Sequence, residues 1–429
     1  MTRFAAFVRR AATDGRLVVQ PRMGFGELDR MRAGLTAVRD CRATTVGTVT
    51  LDSYTRVGDY GSARRALAQG AEGGAELNGF PLEAHGTTAV RALLAEVASA
   101  DFPVQVRHGS PLPLDLFRIM VEAGVDATEG GPVSYCLPYG RVPLPEAADN
   151  WARCCELAAA ADRPMHLETF GGCMLGQLCP PSLLVALSVL EALFFREHGL
   201  RSVSLSYAQQ IHLGQDLEAL AALRALATEH LTGVDWHLTL YTYMGVFPRT
   251  PVGSFRLLED SARLAVHSGT ERLIVKTPAE ARRIPRIEEN VEALEFADSV
   301  AARAAADCAT AHCPPTADTG LLAEAERLLD ATLSLGRTVG AALVAAFARG
   351  VLDVPYCLHR DNAGAARAVI DEYGMLAWSA AGAMPVTVRH SDLLCTAPVT
   401  AARLTGMLAF NERRYDREHT VGALLRSAA

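Results

Sequence analysis

Hydrophobic positions recur along the chain with two periodicities that alternate. Short β-branched and apolar runs, each ending in a polar residue and a turn, alternate with Ala/Leu-rich segments whose apolar positions recur about every three to four residues. The first pattern is typical of buried strands and the second of amphipathic helices, so their alternation predicts parallel βα units. The nine candidate strands are residues 17–22, 45–52, 76–80, 104–109, 125–131, 165–169, 202–208, 236–244 and 272–277.

A closed barrel of eight βα units is the fold that this alternation favours. Since eight strands close such a barrel, one candidate must lie outside it or be irregular, and residues 125–131 (VDATEGG) have the lowest β-propensity. A doubly wound open sheet would alternate in the same way, but it would begin with Gly-x-Gly-x-x-Gly, which residues 20–27 (QPRMGFGE) lack. We therefore predict the α/β class, with a TIM-type (β/α)8 barrel over residues 1–285.

Beyond the barrel the pattern changes twice. Two long Ala/Glu/Arg-rich helices are predicted at residues 287–306 and 321–335, within a helical extension (286–345) that completes the barrel exterior. Residues 346–429 contain VPYCLHRDNAG, followed by a predicted short helix and a β-like tail. We expect this last part to form a smaller C-terminal α+β cap near the barrel mouth.

Composition and charge exclude several classes of protein. The formal net charge is −7, and the 41 Lys and Arg residues form no basic stripe, so no nucleic-acid partner is predicted. The most apolar run, 183–195, contains Glu191 and is too short to cross a bilayer, so it is predicted to be a core helix. The N-terminus has no secretory pattern, so a cytoplasmic location is expected. The ten cysteines include no Cys-x-x-Cys, so no metal site is predicted.

Charged residues follow the predicted strands, where the loops of a barrel converge on one mouth. Guanidinium groups bind carboxylates bidentately, so several arginines at one mouth predict a dicarboxylate ligand. Phosphate is disfavoured because KTPAEA, after the last strand, has no glycine. The charged residues at the strand ends are Arg22, Arg56, Arg107, Glu129, Glu168 and Lys276.

Eight segments, in order, strongly resemble the epsilon (large) subunit of glutamate mutase, also called methylaspartate mutase. They are QPRMGFG, TLDSYTR, LNGFP, VRHG, TEGGPVSYCLPYG, CPPS, YMGVFP and IVKTPAEARRIP, between about Gln20 and Pro285. The resemblance implies an adenosylcobalamin-dependent isomerase that interconverts L-glutamate and (2S,3S)-3-methylaspartate by a radical carbon-skeleton rearrangement. It also implies a separate cobalamin-binding small (sigma) subunit at the barrel mouth and a homodimer of large subunits within a heterotetramer.

The resemblance further assigns roles to individual residues. Glu129 would receive or share a proton of the substrate amino group, with Tyr139 as a second catalytic residue. The residues matching the substrate site are Arg22, Arg56 and Arg107, which would bind the two carboxylates, together with Glu129, Tyr135 and Tyr139. The residues matching the cofactor site are Gly24, Thr50, Asn78, Pro138, Lys276, Glu280 and Asn362.

The chain lacks a cobalamin-ligating motif of its own. The small subunit of this family uses Asp-x-His-x-x-Gly, whereas Asp235-Trp236-His237 is followed by Leu240 in the glycine position. His237 begins a predicted strand, so we expect it to be structural and the cofactor to come from the partner. The sequence also departs from the family in Leu240-Tyr241-Thr242-Tyr243, where members have a His-Gln-Trp stretch, which leaves a different amino dicarboxylate substrate open.

Two other functions remain compatible with the residues. Lys276 at a barrel strand end could form a Schiff base in a lyase or aldolase-like enzyme that acts alone. A non-catalytic dicarboxylate-binding protein would also need the arginines. The downstream Glu280 and the three arginines favour the mutase.

Overall fold

The structure is a computed structural model that describes residues 1–71, 77–138, 140–174, 178–310, 318–388 and 397–417. Eight parallel strands form one sheet in the order β1-β8-β7-β6-β5-β4-β3-β2. One parallel bridge between Val19 and Thr45 joins β1 to the start of the β2 segment and brings the two ends of the sheet together. The strands are β1 (Val18–Pro21), β2 (Gly47–Thr50), β3 (Val104–Arg107), β4 (Ala127–Gly130), β5 (His166–Thr169), β6 (Ser202–Ala208), β7 (Asp235–Tyr241) and β8 (Arg272–Val275).

Helices surround the sheet, as expected for the predicted TIM-type barrel. They begin with α1 (Arg3–Thr13), α2 (Leu28–Asp40), α3 (Ser53–Arg56), α4 (Tyr60–Ala71), α5 (Leu82–Val97), α6 (Leu114–Ala123) and α7 (Leu144–Ala159). They continue with α8 (Pro181–Glu197), α9 (Leu213–His230), α10 (Pro251–His267), α11 (Ile287–Thr310), α12 (Leu321–Leu333) and α13 (Val339–Ala348). Helix α11 packs against α10 and α2 and so closes the outer ring. The fold class is therefore confirmed.

Helix α8 is buried on all sides. Its inner face packs on β5 and β6, while α12 and α13 cover its outer face. This second layer explains why the most apolar run of the sequence lies in a helix of the barrel wall. No helix among the described residues is long and apolar enough to cross a membrane.

The strand that lies outside the barrel is not the one predicted. Residues 125–131, the weakest candidate, contain β4, which pairs with β3 and β5, so the expectation that this segment is the extra one was wrong. The segment outside the sheet is 76–80, described from residue 77, which makes single bridges from Asn78 to Phe25 and from Phe80 to Leu51. Pairing on both sides compensates for low β-propensity in β4, whereas Gly79, at φ +108°, turns the other segment across the strand ends.

The C-terminal part contains a small antiparallel sheet of β9 (Arg367–Ile370) and β10 (Leu376–Ala380), and a helix α14 (Ala401–Leu408). A further helix spans 410–417. The short helix predicted directly after DNAG is absent there, because residues 367–370 are extended and pair with β10. Helix α13 was not predicted, and it runs past residue 345, where the helical extension was predicted to end. The division of the chain into domains at residues 285 and 345 stays a prediction.

Candidate active site

An ion pair between Arg107 and Glu129 lies at the carboxyl ends of β3 and β4. Arg107 Nε donates to Glu129 Oε2 at 2.7 Å, and both side chains are at most 5% exposed. Tyr135 also donates to Glu129, through Oε1. Burial opposes both charges, but the attraction between the two groups, together with their interactions with Tyr135 and Tyr241, raises the pKa of Arg107 and lowers the pKa of Glu129. Both groups are therefore ionised at neutral pH.

A second buried ion pair lies beside the first. Glu129 and Glu168 are register partners in β4 and β5, and Arg272 of β8 binds Glu168 in the barrel interior, where both side chains are fully buried. Tyr241, the last residue of β7, connects the two pairs, because its hydroxyl lies 2.6 Å from Glu129 Oε2 and also contacts Glu168. The sequence predicted Glu168 as a strand-end charge, but it gave no role to Arg272 or Tyr241.

His108 follows Arg107 at the end of β3, and its ring interacts electrostatically with both Glu129 and Arg56. Burial lowers its pKa to about 3, with Glu129 opposing the shift and Arg56 adding to it, so the ring is neutral. Its Nδ1 accepts from Ser110 N at 3.0 Å, which places the hydrogen on Nε2. That Nε2 is buried and has no partner among the described residues. The imidazole is thus an additional buried donor, which the sequence analysis missed.

A cavity of about 160 Å³ at the mouth brings together five predicted site residues. Arg56 ends the short helix α3 rather than a strand, and Asp52 caps that helix by accepting from Tyr54 N and Thr55 N at 2.9 and 3.0 Å. Arg56 Nε donates to Leu51 O at 2.9 Å. The five predicted residues that line the cavity are Arg22, Gly24, Thr50, Arg56 and Asn78.

Gly24 allows two strand ends to approach each other closely. A Cβ atom at this position would lie 2.1 Å from Thr50 O, a distance that no real side chain tolerates. The neighbouring Met23 O accepts from Thr50 N at 2.8 Å, so the backbone contact is fixed on both sides. The glycine therefore shapes the wall of the cavity by its backbone.

Lys276 and Glu280 lie on the side of the mouth formed by β8. Arg22 Nη1 donates to Glu280 Oε2 at 3.0 Å, while Glu280 Oε1 accepts from Thr277 N at 3.0 Å. The Lys276 ammonium lies 4.5 Å from the centre of the Phe247 ring. Burial lowers the pKa of Lys276 to about 8, with Glu280 opposing and Arg22 adding to the shift. A cation held above an aromatic ring next to a carboxylate can bind a polar ligand.

Two predicted residues, Pro138 and Asn362, lie apart from this cluster. Pro138 lines a second cavity, of about 680 Å³, between the loop after β4 and residues 356–360 of the C-terminal part. Asn362 holds the loop of that part together, because its amide donates to Val354 O and Cys357 O and accepts from Val354 N. Tyr139 lies outside the described residues. The roles of all three stay predictions.

Glu191, in the apolar helix α8, fixes the loops that follow β4 and β5. Its carboxylate accepts from Ser134 N at 2.9 Å and from Gly171 N at 2.7 Å, and it also binds the Ser134 hydroxyl. A Cβ atom on Gly131 would lie 2.0 Å from this carboxylate, which explains the glycine after Glu129-Gly130. A lone charge in an apolar run was the visible signal, but the sequence analysis treated the run only as a core helix.

Glu191 should make the stability of the fold depend on pH. Burial raises its pKa from 4.5 to about 7, against the hydrogen bonds from Ser134, Phe170 and Gly171, so the folded state binds this proton more tightly than the unfolded state. The stabilisation that Glu191 provides is fully present below the pKa of this group in the unfolded state. It is lost as the pH rises through the pKa of the group in the folded state. We expect on the order of 3 kcal/mol of unfolding free energy to be lost in that interval.

Urea-unfolding midpoints across this pH interval measure the effect. Glu191→Gln should reduce the fall in stability with rising pH, whereas Glu122→Gln, on the exposed surface of α6, should leave it unchanged. Asp216, whose pKa burial also raises to about 7, should account for part of the remaining slope. Equal slopes in wild type and Glu191→Gln would show that Glu191 does not change its protonation on unfolding.

Among the described residues, no group of three or more His, Cys, Asp or Glu side chains is placed to hold a metal ion. The residues that could hold a cofactor line the 160 Å³ cavity. Arg22 Nε and Thr50 Oγ1 are buried there without a partner in the described part of the chain, as is Asn290 Oδ1 on helix α11. Unpartnered buried polar atoms on a cavity wall indicate a polar ligand.

Comparison with known proteins gives one consistent result. The methylaspartate mutase E chain (MutE) family matches residues 1–396. The glutamate mutase epsilon subunit of Escherichia coli O157:H7 is 30% identical over 405 residues, covering 91% of this chain and 82% of that protein. The epsilon subunit of Halobacterium salinarum is 32% identical over 361 residues, covering 82% of this chain and 74% of that protein. Since the family match covers most of the chain, the chain belongs to the methylaspartate mutase E chain family.

Proposed function

We propose that this chain is the catalytic large subunit of an adenosylcobalamin-dependent glutamate mutase, which interconverts L-glutamate and (2S,3S)-3-methylaspartate by a radical carbon-skeleton rearrangement. The observation that carries the proposal is the buried pair of Arg107 and Glu129. Arg107 Nε donates a hydrogen bond to Glu129, while the buried Nη1 of Arg107 has no partner among the described residues. A guanidinium nitrogen without a partner in a buried site is suited to a ligand carboxylate.

The charges of the site match an amino dicarboxylate. Arg22, Arg56 and Arg107 are near the mouth, and the Glu129 carboxylate is beside Arg107. Two carboxylates would bind the guanidinium groups, and the ammonium would face Glu129. A radical reaction requires its intermediates to be held in place and kept from water, and strong burial of Arg107 and Glu129 supports this.

The cavity residues fit a polar cofactor such as an adenosyl group. Arg22 Nε and Thr50 Oγ1 have hydrogen-bonding capacity left, and Gly24 keeps the wall free of a side chain. Lys276 and Glu280 would hold the ribose hydroxyls, as the family resemblance implies. When bound, adenosylcobalamin supplies the radical that removes a hydrogen atom from the substrate.

The protein's own residues would perform the remaining tasks. The arginines hold the carboxylates while the carbon skeleton changes, so that the migrating fragment stays close to its acceptor carbon. Glu129 accepts a proton from the substrate ammonium at one of its carboxylate oxygens. Tyr135, which donates to Glu129 Oε1, fixes the orientation of that carboxylate.

Exposed apolar side chains around the mouth support docking of a partner subunit there. Tyr54 and Val57 follow β2, Val246 follows β7, and Leu358 belongs to the cavity that also contains Pro138. Leu358 is 98% exposed, which is unusual for a leucine in a well-packed chain. We propose that the cobalamin-binding small subunit covers this surface.

The isolated chain is expected to bind almost no adenosylcobalamin and to be colourless. It has no Asp-x-His-x-x-Gly motif, and His237 is buried in the barrel, where Arg272 Nε lies 3.3 Å from its Nε2. Gel filtration with recording of the visible spectrum checks this. Addition of the small subunit and cofactor should produce a coloured complex around a dimer of large subunits.

The control is the small subunit with cofactor but without this chain. Colour that elutes with this chain only when the small subunit and the cofactor are both present supports the proposal. Stoichiometric cobalamin on the isolated chain would contradict it. Trapping of an amino or oxo acid on Lys276 by borohydride, without cobalamin, would instead support a lyase that acts alone.

A further inference from the structure

The two oxygens of the Glu191 carboxylate each bind the backbone of a different loop. Oε1 accepts from Val133 N at 3.3 Å and from Ser134 N at 2.9 Å, in the loop after β4. Oε2 accepts from Phe170 N at 3.2 Å and from Gly171 N at 2.7 Å, in the loop after β5. One side chain of α8 therefore joins two loops that come from different strands of the barrel.

Both loops lie directly against α8. A Cβ atom on Gly131 would lie 2.0 Å from Glu191 Oε1, and a Cβ atom on Gly171 would lie 2.7 Å from the backbone carbonyl carbon of Leu187. Glu191 itself is fully buried. Each glycine thus allows its loop to come close enough to α8 for its backbone to reach the carboxylate.

The residues at these donors include two aromatic side chains that lie beside Glu129. Tyr135 follows the donors of the first loop, and its hydroxyl donates to Glu129 Oε1. The Phe170 ring centre lies 5.0 Å from that of Tyr135 and 5.5 Å from that of Tyr241. The Tyr241 hydroxyl lies 2.6 Å from Glu129 Oε2. Both tyrosines that contact Glu129 therefore pack on a ring whose backbone N–H binds Glu191.

We infer that Glu191 is a positioning residue that holds Tyr135 and Phe170 in place and, through them, the Glu129 carboxylate. It acts through the two loops and not by contact with a ligand. Because the backbone N–H groups of both loops are donors, only a side chain with two acceptor oxygens can bind both loops at once. This requirement explains why a carboxylate interrupts the apolar run of α8. The consequence for catalysis rests on the proposed function, in which Glu129 accepts the substrate proton.

Glu191→Gln separates the binding of one loop from the binding of both. A glutamine has one acceptor oxygen, and its amide nitrogen is a donor. Whichever way the amide is turned, the N–H groups of one loop face another donor and lose their acceptor, so that loop has to move.

The matched control is Glu218→Gln in α9. The Glu218 carboxylate accepts from Thr319 N at 2.7 Å and from Leu321 N at 3.2 Å, in the segment that leads into α12. The substitution therefore makes the same chemical change at a buried carboxylate that binds backbone N–H groups. It affects the outer helical layer and neither of the two loops beside Glu129.

Fluorine NMR of the isolated chain labelled with fluorotyrosine reports on Tyr135 without substrate or cobalamin. The Tyr135 resonance is assigned by its loss in Tyr135→Phe. The pH should lie about one unit above the pKa of Glu191, which burial raises to about 7, so that the carboxylate is ionised. We expect Glu191→Gln to shift this resonance and Glu218→Gln to leave it in place. Circular dichroism checks that each variant is folded.

Glu191→Asp is the second variant, because it keeps both acceptor oxygens on a side chain that is shorter by one CH2 group. It should hold both loops less closely, so the Tyr135 resonance should shift, but less than in Glu191→Gln. An unshifted resonance in Glu191→Gln would overturn the inference, as would an equal shift in Glu218→Gln. If Glu191→Gln does not fold, an unshifted resonance in Glu191→Asp would overturn it.

Kinetics in the complex with the small subunit and adenosylcobalamin test the consequence for the reaction. Glu191→Gln should lower kcat about tenfold or more, because Glu129 is displaced from the group that it deprotonates. KM should change by less than about threefold, since the arginines proposed to bind the carboxylates lie in neither loop. Glu191→Asp should recover part of kcat, and Glu218→Gln should match wild type.

The two measurements distinguish failure of this inference from failure of the proposed function. In a complex whose wild type is active, a kcat of Glu191→Gln within about threefold of wild type would overturn the positioning role. A shifted Tyr135 resonance in Glu191→Gln, together with no mutase activity in the wild-type complex, would refute the proposed function alone.

Discussion

Glu129→Gln is expected to lower kcat by about 10²-fold or more while it changes substrate affinity by less than about tenfold. The amide keeps the shape of the side chain and can still accept from Arg107 through its oxygen. It cannot accept a proton at neutral pH, so the step in which the substrate ammonium loses a proton is lost. Steady-state kinetics with glutamate, in the complex with the small subunit and adenosylcobalamin, measures the change.

The amide also removes a charge that compensates buried Arg107, so stability has to be measured alongside activity. A lower melting temperature with retained circular dichroism is expected, since an unpaired buried charge is costly. Glu122→Gln makes the same chemical change on the exposed surface of α6 and should leave kcat unchanged. A kcat of Glu129→Gln within about threefold of wild type would remove Glu129 from the mechanism.

Arg107→Lys should lower kcat/KM by the equivalent of about 2 to 4 kcal/mol of transition-state stabilisation, although the charge is conserved. Arg107 binds Glu129 through Nε and has Nη1 left for a ligand, so one planar group serves two anions. A lysine ammonium is a compact charge without that fixed fork, and it cannot hold both anions in the same geometry. The same loss is expected for Arg22→Lys and Arg56→Lys.

The control for this prediction is Arg118→Lys, since Arg118 is 57% exposed on α6 and should tolerate the change. A monocarboxylate such as 2-aminobutyrate should not react, because one guanidinium group would stay buried without its anion. Values of kcat/KM within about threefold of wild type for the lysine variants would exclude bidentate binding and, with it, glutamate as the substrate.

Part of the site could be predicted because it follows from local sequence. Arg107 ends β3, Glu129 lies in β4 and Lys276 follows β8, and in a barrel all such positions face one mouth. The structure places Arg22, Arg56 and three further predicted residues on one cavity wall. Sequence spacing alone could not show that Arg56 reaches this wall from a short helix.

The remaining part of the site depends on contacts between distant segments. Arg272 is the first residue of β8 and belongs to no sequence motif. It nevertheless binds Glu168 across the barrel interior. Glu191 lies in an apolar helix, and only the packing of α8 under two loops gives its carboxylate backbone donors. Tyr241 was visible only as a departure from the family pattern.

The alternation of strand and helix periodicity determined the barrel, and the charges at strand ends predicted that its mouth is the site. These features are local, because the direction of a side chain follows from its own segment. Which segment joins the sheet, and which buried charges meet inside it, was decided by tertiary structure. Residues 125–131 became β4 despite weak propensity, and Tyr241 came to lie between Glu129 and Glu168, because pairing and burial depend on neighbours distant in sequence.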